Sequence, residues 1–139
     1  MPQTEVLQDH KKWETFGHQR KILIVEDELL VSWSLSQALG KLGFDVSVAD
    51  SGEKALDALG SRNYDLVITD MNLPMIDGFQ VAAMAKSSGK IIPVIMVSAM
   101  DVNSRTGREG SGFIDCFIEK PFEFEQIRTV VKNLLDNGV

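Results

Sequence analysis

Residues 21–139 predict a doubly wound α/β domain, in which a five-stranded parallel sheet carries helices on both faces. Three observations predict it. Five short runs are almost wholly apolar and rich in β-branched residues, as strands buried on both faces must be. The segments between them carry apolar residues at helical spacing. The two kinds of segment alternate along the chain, which is the pattern of a parallel sheet with crossover helices. Right-handed crossovers leave few topologies.

The first strand is Ile22-Leu23-Ile24-Val25. Leu29 to Leu42 follows as a helix, with Val31, Leu35, Ala38, Leu39 and Leu42 on one stripe and Gly43 as its stop signal. Trp33 lies off that stripe and is predicted to be exposed. Phe44, Val46 and Val48 alternate as a second strand. Ser51 caps a short helix carrying Ala55, Leu56 and Leu59 and ending near Gly60. Leu66-Val67-Ile68, running into Thr69-Asp70, is the third strand, and Gly78 to Ala85 the third helix. Ile91 to Val97 reads as the fourth strand, with Pro93 near its start, where a missing N–H costs least. Met100 to Gly112 should hold a fourth helix, weakened by Gly107 and Gly110 at ~1 kcal/mol each relative to alanine. The fifth strand lies within Phe113 to Ile118, with Cys116 as an inert buried thiol. The last helix, about Glu123 to Leu135, sets Phe124, Ile127, Val130, Val131, Leu134 and Leu135 on one face.

Residues 1–20 differ in character. They are polar, with Trp13 and Phe16 as the large apolar groups near their end. They read as a leader or linker, the alternative being a short helix that packs Val6, Trp13 and Phe16, or Trp13 and Phe16 against Trp33.

Charge and composition narrow the function classes. The formal net charge is −6, from 14 basic and 20 acidic residues, with no basic run that could track a phosphate backbone. Direct binding to nucleic acid or to an anionic membrane is therefore not expected. The single cysteine, Cys116, permits no intrachain disulfide and suits a reducing compartment. No apolar run is long enough to span a bilayer, and Met1 to Arg20 lacks the apolar region of a secretory signal. A soluble cytoplasmic domain is the expectation.

In such sheets ligands bind outside the carboxyl ends of the strands. The first strand ends in Glu26-Asp27, followed by Glu28. The third ends in Asp70, the fourth in Ser98 and the fifth in Lys120-Pro121. Singly, each has an ordinary explanation as a cap, a turn or a solvated charge. Jointly they gather carboxylates, a hydroxyl and an ammonium on one edge. Crowded carboxylates raise one another's pKa, and a hard divalent cation relieves the conflict, with magnesium favoured by oxygen ligands. A cation and an ammonium together suit the negative charge of a transferring phosphoryl group. A carboxylate can itself be the nucleophile.

Ile24-Val25-Glu26-Asp27-Glu28, Asp70-Met71-Asn72-Leu73-Pro74-Met75-Ile76-Asp77-Gly78, Val97-Ser98-Ala99 and Lys120-Pro121-Phe122 resemble the motifs of bacterial response regulator receiver domains. The resemblance covers about residues 21–136, in order and spacing. It implies a flavodoxin-like fold with strand order 2-1-3-4-5. It also implies residue roles. Asp70 is the phosphoacceptor. Glu26, Asp27, Asp70 and the backbone carbonyl of Asn72 hold Mg2+ or another divalent cation, directly or through water. Ser98 is the switch hydroxyl, and Phe117 the aromatic that turns inward with it. Lys120 contacts the phosphoryl oxygens, with the Lys120-Pro121 bond cis, and Gly78 permits a tight turn.

The implied partners are a sensor histidine kinase or histidine phosphotransfer protein and a downstream protein that the sequence does not name. Homodimerisation is left open. Trp33 is a candidate for partner docking. The resemblance implies no turnover of external substrates, only the domain's own phosphorylation and dephosphorylation. Phosphorylation would draw Ser98 toward the phosphoryl group and reshape the face of the fourth helix, fifth strand and last helix.

Some positions depart from the family pattern. Ser98 replaces the commoner threonine, and Phe113 stands where a small alanine is usual, so packing beneath the last strand must differ. Asn72 and Met100 flank the site at positions that influence phosphate lifetime. Nineteen residues follow Lys120, room for one helix, so the sequence reads as a stand-alone regulator or as a receiver from a hybrid histidine kinase or multidomain regulator. Three other classes compete. A haloacid-dehalogenase-like phosphatase needs an aspartate where Asn72 stands. A flavin binder needs an anion-cradling first loop, which Glu26-Asp27-Glu28 would repel. A pseudo-receiver would act through its surfaces alone.

Overall fold

The computed structural model describes residues 19–87, 91–99 and 111–137. The strands are β1 (Lys21–Val25), β2 (Asp45–Ala49), β3 (Leu66–Asp70), β4 (Val94–Ser98) and β5 (Cys116–Glu119). The α-helices among the described residues are α1 (Leu29–Lys41), α2 (Gly52–Ser61), α3 (Gly78–Ser87) and α4 (Phe124–Asn137), with a 3-10 turn at Ser111–Phe113. The five strands form one parallel sheet in the order β2-β1-β3-β4-β5, as expected.

Alternation along the strands divides the core in two. Ile22, Ile24, Ile68, Val97 and Ile118 face one side, where Leu35 and Leu39 of α1 and Ile127, Val131 and Leu135 of α4 cover them. Leu23, Val25, Val67 and Val94 face the other, under Ala55 and Leu59 of α2 and Val81, Ala82 and Ala85 of α3. Continuous apolar strands are thus explained by two buried faces. The Ser51 side chain caps α2 by accepting the Lys54 N–H at 3.2 Å.

The structure sets two strand starts more narrowly than the sequence does. β4 starts at Val94, not Ile91: Ile91 is exposed, and ladder pairing begins where the Pro93 carbonyl accepts the Val67 N–H at 3.0 Å. Proline lacks the N–H that would extend the ladder further back. β5 starts at Cys116, so Phe113 lies outside the strand, in the 3-10 turn, and turns partly to solvent instead of packing beneath the sheet. Cys116, as the strand's first residue, is half-buried, and burial pushes its thiol pKa up. The expected helix within 100–112 falls largely outside the described residues, as do Met100 and the leader residues Val6, Trp13 and Phe16.

The opposite end of the sheet from the strand-end carboxylates is closed by polar ties. Gln19 Nε2 donates to the Gly43 carbonyl at 2.6 Å, and the Asp45 N–H donates to the Arg20 carbonyl at 2.9 Å. Asp115 Oδ2 accepts from the Val94 N–H and from Lys86 Nζ, each at 2.7 Å, while Lys86 also donates to the Ile92 carbonyl at 2.8 Å.

Candidate phosphoryl-accepting site

The chain order reverses at β1, whose neighbours are β2 and β3, so a crevice opens beyond the carboxyl ends of β1 and β3. Asp70, the last residue of β3, points into it and is only 8% exposed. Glu26 follows β1 and is also buried, whereas Asp27 is exposed. Glu26, Asp27 and Asp70 can each present a carboxylate oxygen such that all three atoms lie within 4.8 Å of one another. The set is all hard oxygen, which fits magnesium or another hard divalent cation.

Lys120, just beyond β5, brings its ammonium to the same place. Its Nζ lies 3.0 Å from Glu26 Oε1, 3.5 Å from Glu28 Oε1 and 3.6 Å from Asp70 Oδ2. Its backbone N–H donates to the Ser98 carbonyl at 2.8 Å, tying the ends of β4 and β5 together. The Lys120–Pro121 bond is cis, as the resemblance implied. The Asn72 N–H points at Asp70 Oδ1 at 3.4 Å, and the Glu28 N–H donates to Glu26 Oε2 at 3.2 Å.

Electrostatics follow from this crowding. Burial, with the charge of Asp70, pushes the Glu26 carboxyl up to about 7, against the opposing hydrogen bond from Lys120. Burial alone would lower the Lys120 pKa, but the hydrogen bond to Glu26 and the charges of Asp70, Glu26 and Glu28 outweigh it and raise it. The ammonium therefore stays charged at neutral pH, held among three carboxylates.

Ser98 ends β4 and is fully buried. Phe117 pairs with Met96 in the β4–β5 ladder and packs half-buried against the cluster of Met71, Phe79 and Met96. Ladder alternation sets Ser98 and Phe117 on the α3 side of the sheet, opposite the face that Asp70 shares with Ile68 and Val97.

A family model described as "Response regulator receiver domain" matches residues 22–132. The chain belongs to this family. Among curated relatives of this receiver domain, the probable transcriptional regulatory protein SilR of Salmonella typhimurium is 35% identical over 118 residues, 85% of this chain and 52% of SilR. The transcriptional regulatory protein PcoR of Escherichia coli is 35% identical over 117 residues, 84% of this chain and 51% of PcoR. The chain spans about half the length of these relatives. Among solved structures, the response regulator TrrA of Thermotoga maritima, crystallised with Mg(2+)-BeF, superposes with a TM-score of 0.76 at 32% identity, over 84% of this chain and all of TrrA. A response regulator receiver protein of Sinorhizobium medicae gives 0.78 at 30% identity, over 86% of this chain and 96% of its own.

The structure also adds contacts to the receiver site beyond the roles read from the sequence. Glu28 joins the Lys120 ion-pair group. Met75, in the β3–α3 loop, has φ 68°, a left-handed conformation uncommon for a side chain other than glycine or asparagine. Gly78 matters for close approach: a Cβ there would stand 2.3 Å from the Asp70 carbonyl oxygen. Gly52 opens α2 against the same loop, where a Cβ would meet the Ile76 carbonyl at 2.3 Å. No helix among the described residues is long and apolar enough to cross a membrane.

Proposed function

We propose that Asp70 accepts a phosphoryl group from a phosphohistidine of a sensor kinase or phosphotransfer protein. The observation that carries this reading is the convergence of a buried carboxylate, a paired ammonium and a three-carboxylate oxygen cluster in one crevice. A carboxylate oxygen of Asp70 attacks phosphorus; the new O–P bond forms as the N–P bond of phosphohistidine breaks, and the imidazole leaves with the electron pair. Lys120, 3.6 Å from Asp70 Oδ2, is placed to balance charge on the transferring oxygens. Glu26, Asp27, Asp70 and the Asn72 carbonyl are the residues that would hold a divalent cation, which when bound supplies neutralisation of phosphoryl charge. Hydrolysis reverses the state: water attacks phosphorus, the aspartyl O–P bond breaks, and Asp70 returns as carboxylate with inorganic phosphate released. The domain in this reading turns over no external substrate.

Transmission runs through Ser98 and Phe117. Movement of the Ser98 hydroxyl toward the phosphoryl group makes room on the α3 side for Phe117, which alters the surface around β5. Beryllofluoride that left the amide shifts of β5 unchanged would contradict this switch.

The phosphodonor protein docks beside α1. This helix carries no charged side chain from Leu29 to Gly40, and Leu29, Leu30 and Trp33 are exposed, Trp33 by 61%. A groove of about 750 Å³ lies between α1 and the segment after β5, lined by Leu30, Val31, Leu35, Pro121, Phe122 and Phe124, and it adjoins Lys120. Its continuity with the phosphoryl-accepting crevice is what favours the phosphodonor as occupant.

Incubation with acetyl phosphate and magnesium, read by intact mass beside Asp70→Asn, tests the reading. A magnesium-dependent phosphoryl adduct absent from the variant supports it. No adduct, together with no beryllofluoride binding, would favour a pseudo-receiver that acts through its surfaces.

A further inference from the structure

We propose that Thr69 is a positioning residue for the phosphoacceptor, its hydroxyl holding the carbonyl end of Asp70; this inference rests on the reading of Asp70 given above. Thr69 is fully buried and lies in register between Val25 of β1 and Met96 of β4. Its β3 neighbour on that face is Val67, and valine nearly matches threonine in shape, so the apolar surroundings alone do not call for a hydroxyl. A buried hydroxyl, in contrast, is costly unless it finds a partner. The partner here is the Asp70 carbonyl oxygen, which accepts from Thr69 Oγ1 at 3.0 Å.

That carbonyl is a junction. Gly78 presses against it so closely that no Cβ would fit. The next peptide enters the loop at 71–77: its Met71 N–H donates to the Val97 carbonyl at 2.9 Å, the Gly78 N–H donates to the Met71 carbonyl at 3.1 Å, and Gly52 of α2 abuts Ile76. Between strand and pinned loop, the orientation of the Asp70–Met71 peptide sets both the Asp70 carboxylate and the approach of the Asn72 N–H to its Oδ1. Thr69 faces the opposite side of the sheet from Asp70 and so does not meet the reacting atoms. Its effect is transmitted through one carbonyl, and geometry of this kind controls how well a nucleophile is aligned.

The test compares Thr69→Val, which keeps shape and removes the donor, with Thr69→Ser, which keeps the donor. Acetyl phosphate phosphorylation at saturating magnesium should slow about tenfold in Thr69→Val and return to within about twofold of wild type in Thr69→Ser. Alongside, the 13C′ shift of Asp70 and a magnesium titration followed at the Asn72 amide should move in Thr69→Val and not in Thr69→Ser. A folded Thr69→Val protein with wild-type rate and an unmoved Asp70 13C′ shift would overturn the proposal. Should Thr69→Val fail to fold, Thr69→Ala against Thr69→Ser decides: a slow alanine variant beside a normal serine variant supports the role, and equal rates overturn it. If the wild-type protein takes no phosphoryl group at all, the phosphoacceptor reading fails, while the 13C′ shift and magnesium titration still decide the role of Thr69.

Discussion

Replacing Glu26 by glutamine should stabilise the metal-free domain at pH 8 and leave it nearly unchanged at pH 5. The Glu26 carboxyl ordinarily titrates at 4.5 and is pushed up to about 7 by burial and by Asp70. A carboxyl whose pKa rises on folding opposes folding once ionised. The penalty begins as pH rises past 4.5, grows to pH 7 and is then constant. A shift of this size corresponds to about 3 kcal/mol above pH 7 and under about 1 kcal/mol at pH 5. Lys120, with its pKa raised, contributes stability that is lost only in strongly alkaline solution, so it is constant across this window. Glutamine keeps an oxygen to accept from Lys120 and from the Glu28 N–H. Urea unfolding of wild type and Glu26→Gln in a chelator at both pH values measures the difference. The expected gap is about 2–3 kcal/mol at pH 8 and less than about 1 kcal/mol at pH 5. A Glu26→Gln protein less stable than wild type at pH 8 would refute the reasoning, because the ion pair with Lys120 would then outweigh burial. The same titration predicts that magnesium affinity of the wild type falls as pH drops below about 7, since the cation must displace a proton from Glu26.

Other perturbations have equally definite outcomes. Gly78→Ala should cost at least about 2 kcal/mol and slow phosphorylation, because its Cβ would stand 2.3 Å from the Asp70 carbonyl oxygen; chemical denaturation and acetyl phosphate kinetics read both, and a wild-type rate would contradict the close-approach argument. Lys86→Met should cost no more than about 1 kcal/mol, since Asp115 is solvent-accessible and keeps its bond from the Val94 N–H, while sparing phosphorylation at the far end of the sheet, and denaturant midpoints beside adduct yields check this. Trp33→Ala should slow phosphotransfer from a kinase several-fold and leave acetyl phosphate kinetics unchanged, since Trp33 lies exposed on α1 and belongs neither to the Glu26, Asp27 and Asp70 cluster nor to the Lys120 ion-pair group. Equal slowing with both donors would instead mean that Trp33 supports the site itself.

The sheet was legible because strands buried on both faces leave little freedom in composition: Ile22 to Val25 and Leu66 to Ile68 admit few other readings. The site was legible because strand ends on one edge of a parallel sheet converge, so the sequence alone places Glu26, Asp27, Asp70 and Lys120 together. The start of β4 was not, because the apolar run continues through Ile91 and Ile92 while the ladder begins only after Pro93. Nor was the outward turn of Phe113, which depends on where β5 begins pairing with Ile95. Thr69 and Gly52 escaped for a different reason. Their importance lies in contacts with atoms far along the chain or in a single backbone carbonyl, and no periodicity or motif encodes such a contact. The left-handed φ of Met75 is of the same kind, since methionine carries no signal for it.

The central claim is that Asp70 itself carries the phosphoryl group. Borohydride cleaves an aspartyl phosphate and reduces the residue to homoserine, so trapping after acetyl phosphate treatment, followed by peptide mapping, locates the modified carboxylate directly. Homoserine at position 70, formed only with magnesium present, is the predicted result; homoserine at another acidic position, or none in a protein that gains phosphoryl mass, would contradict it.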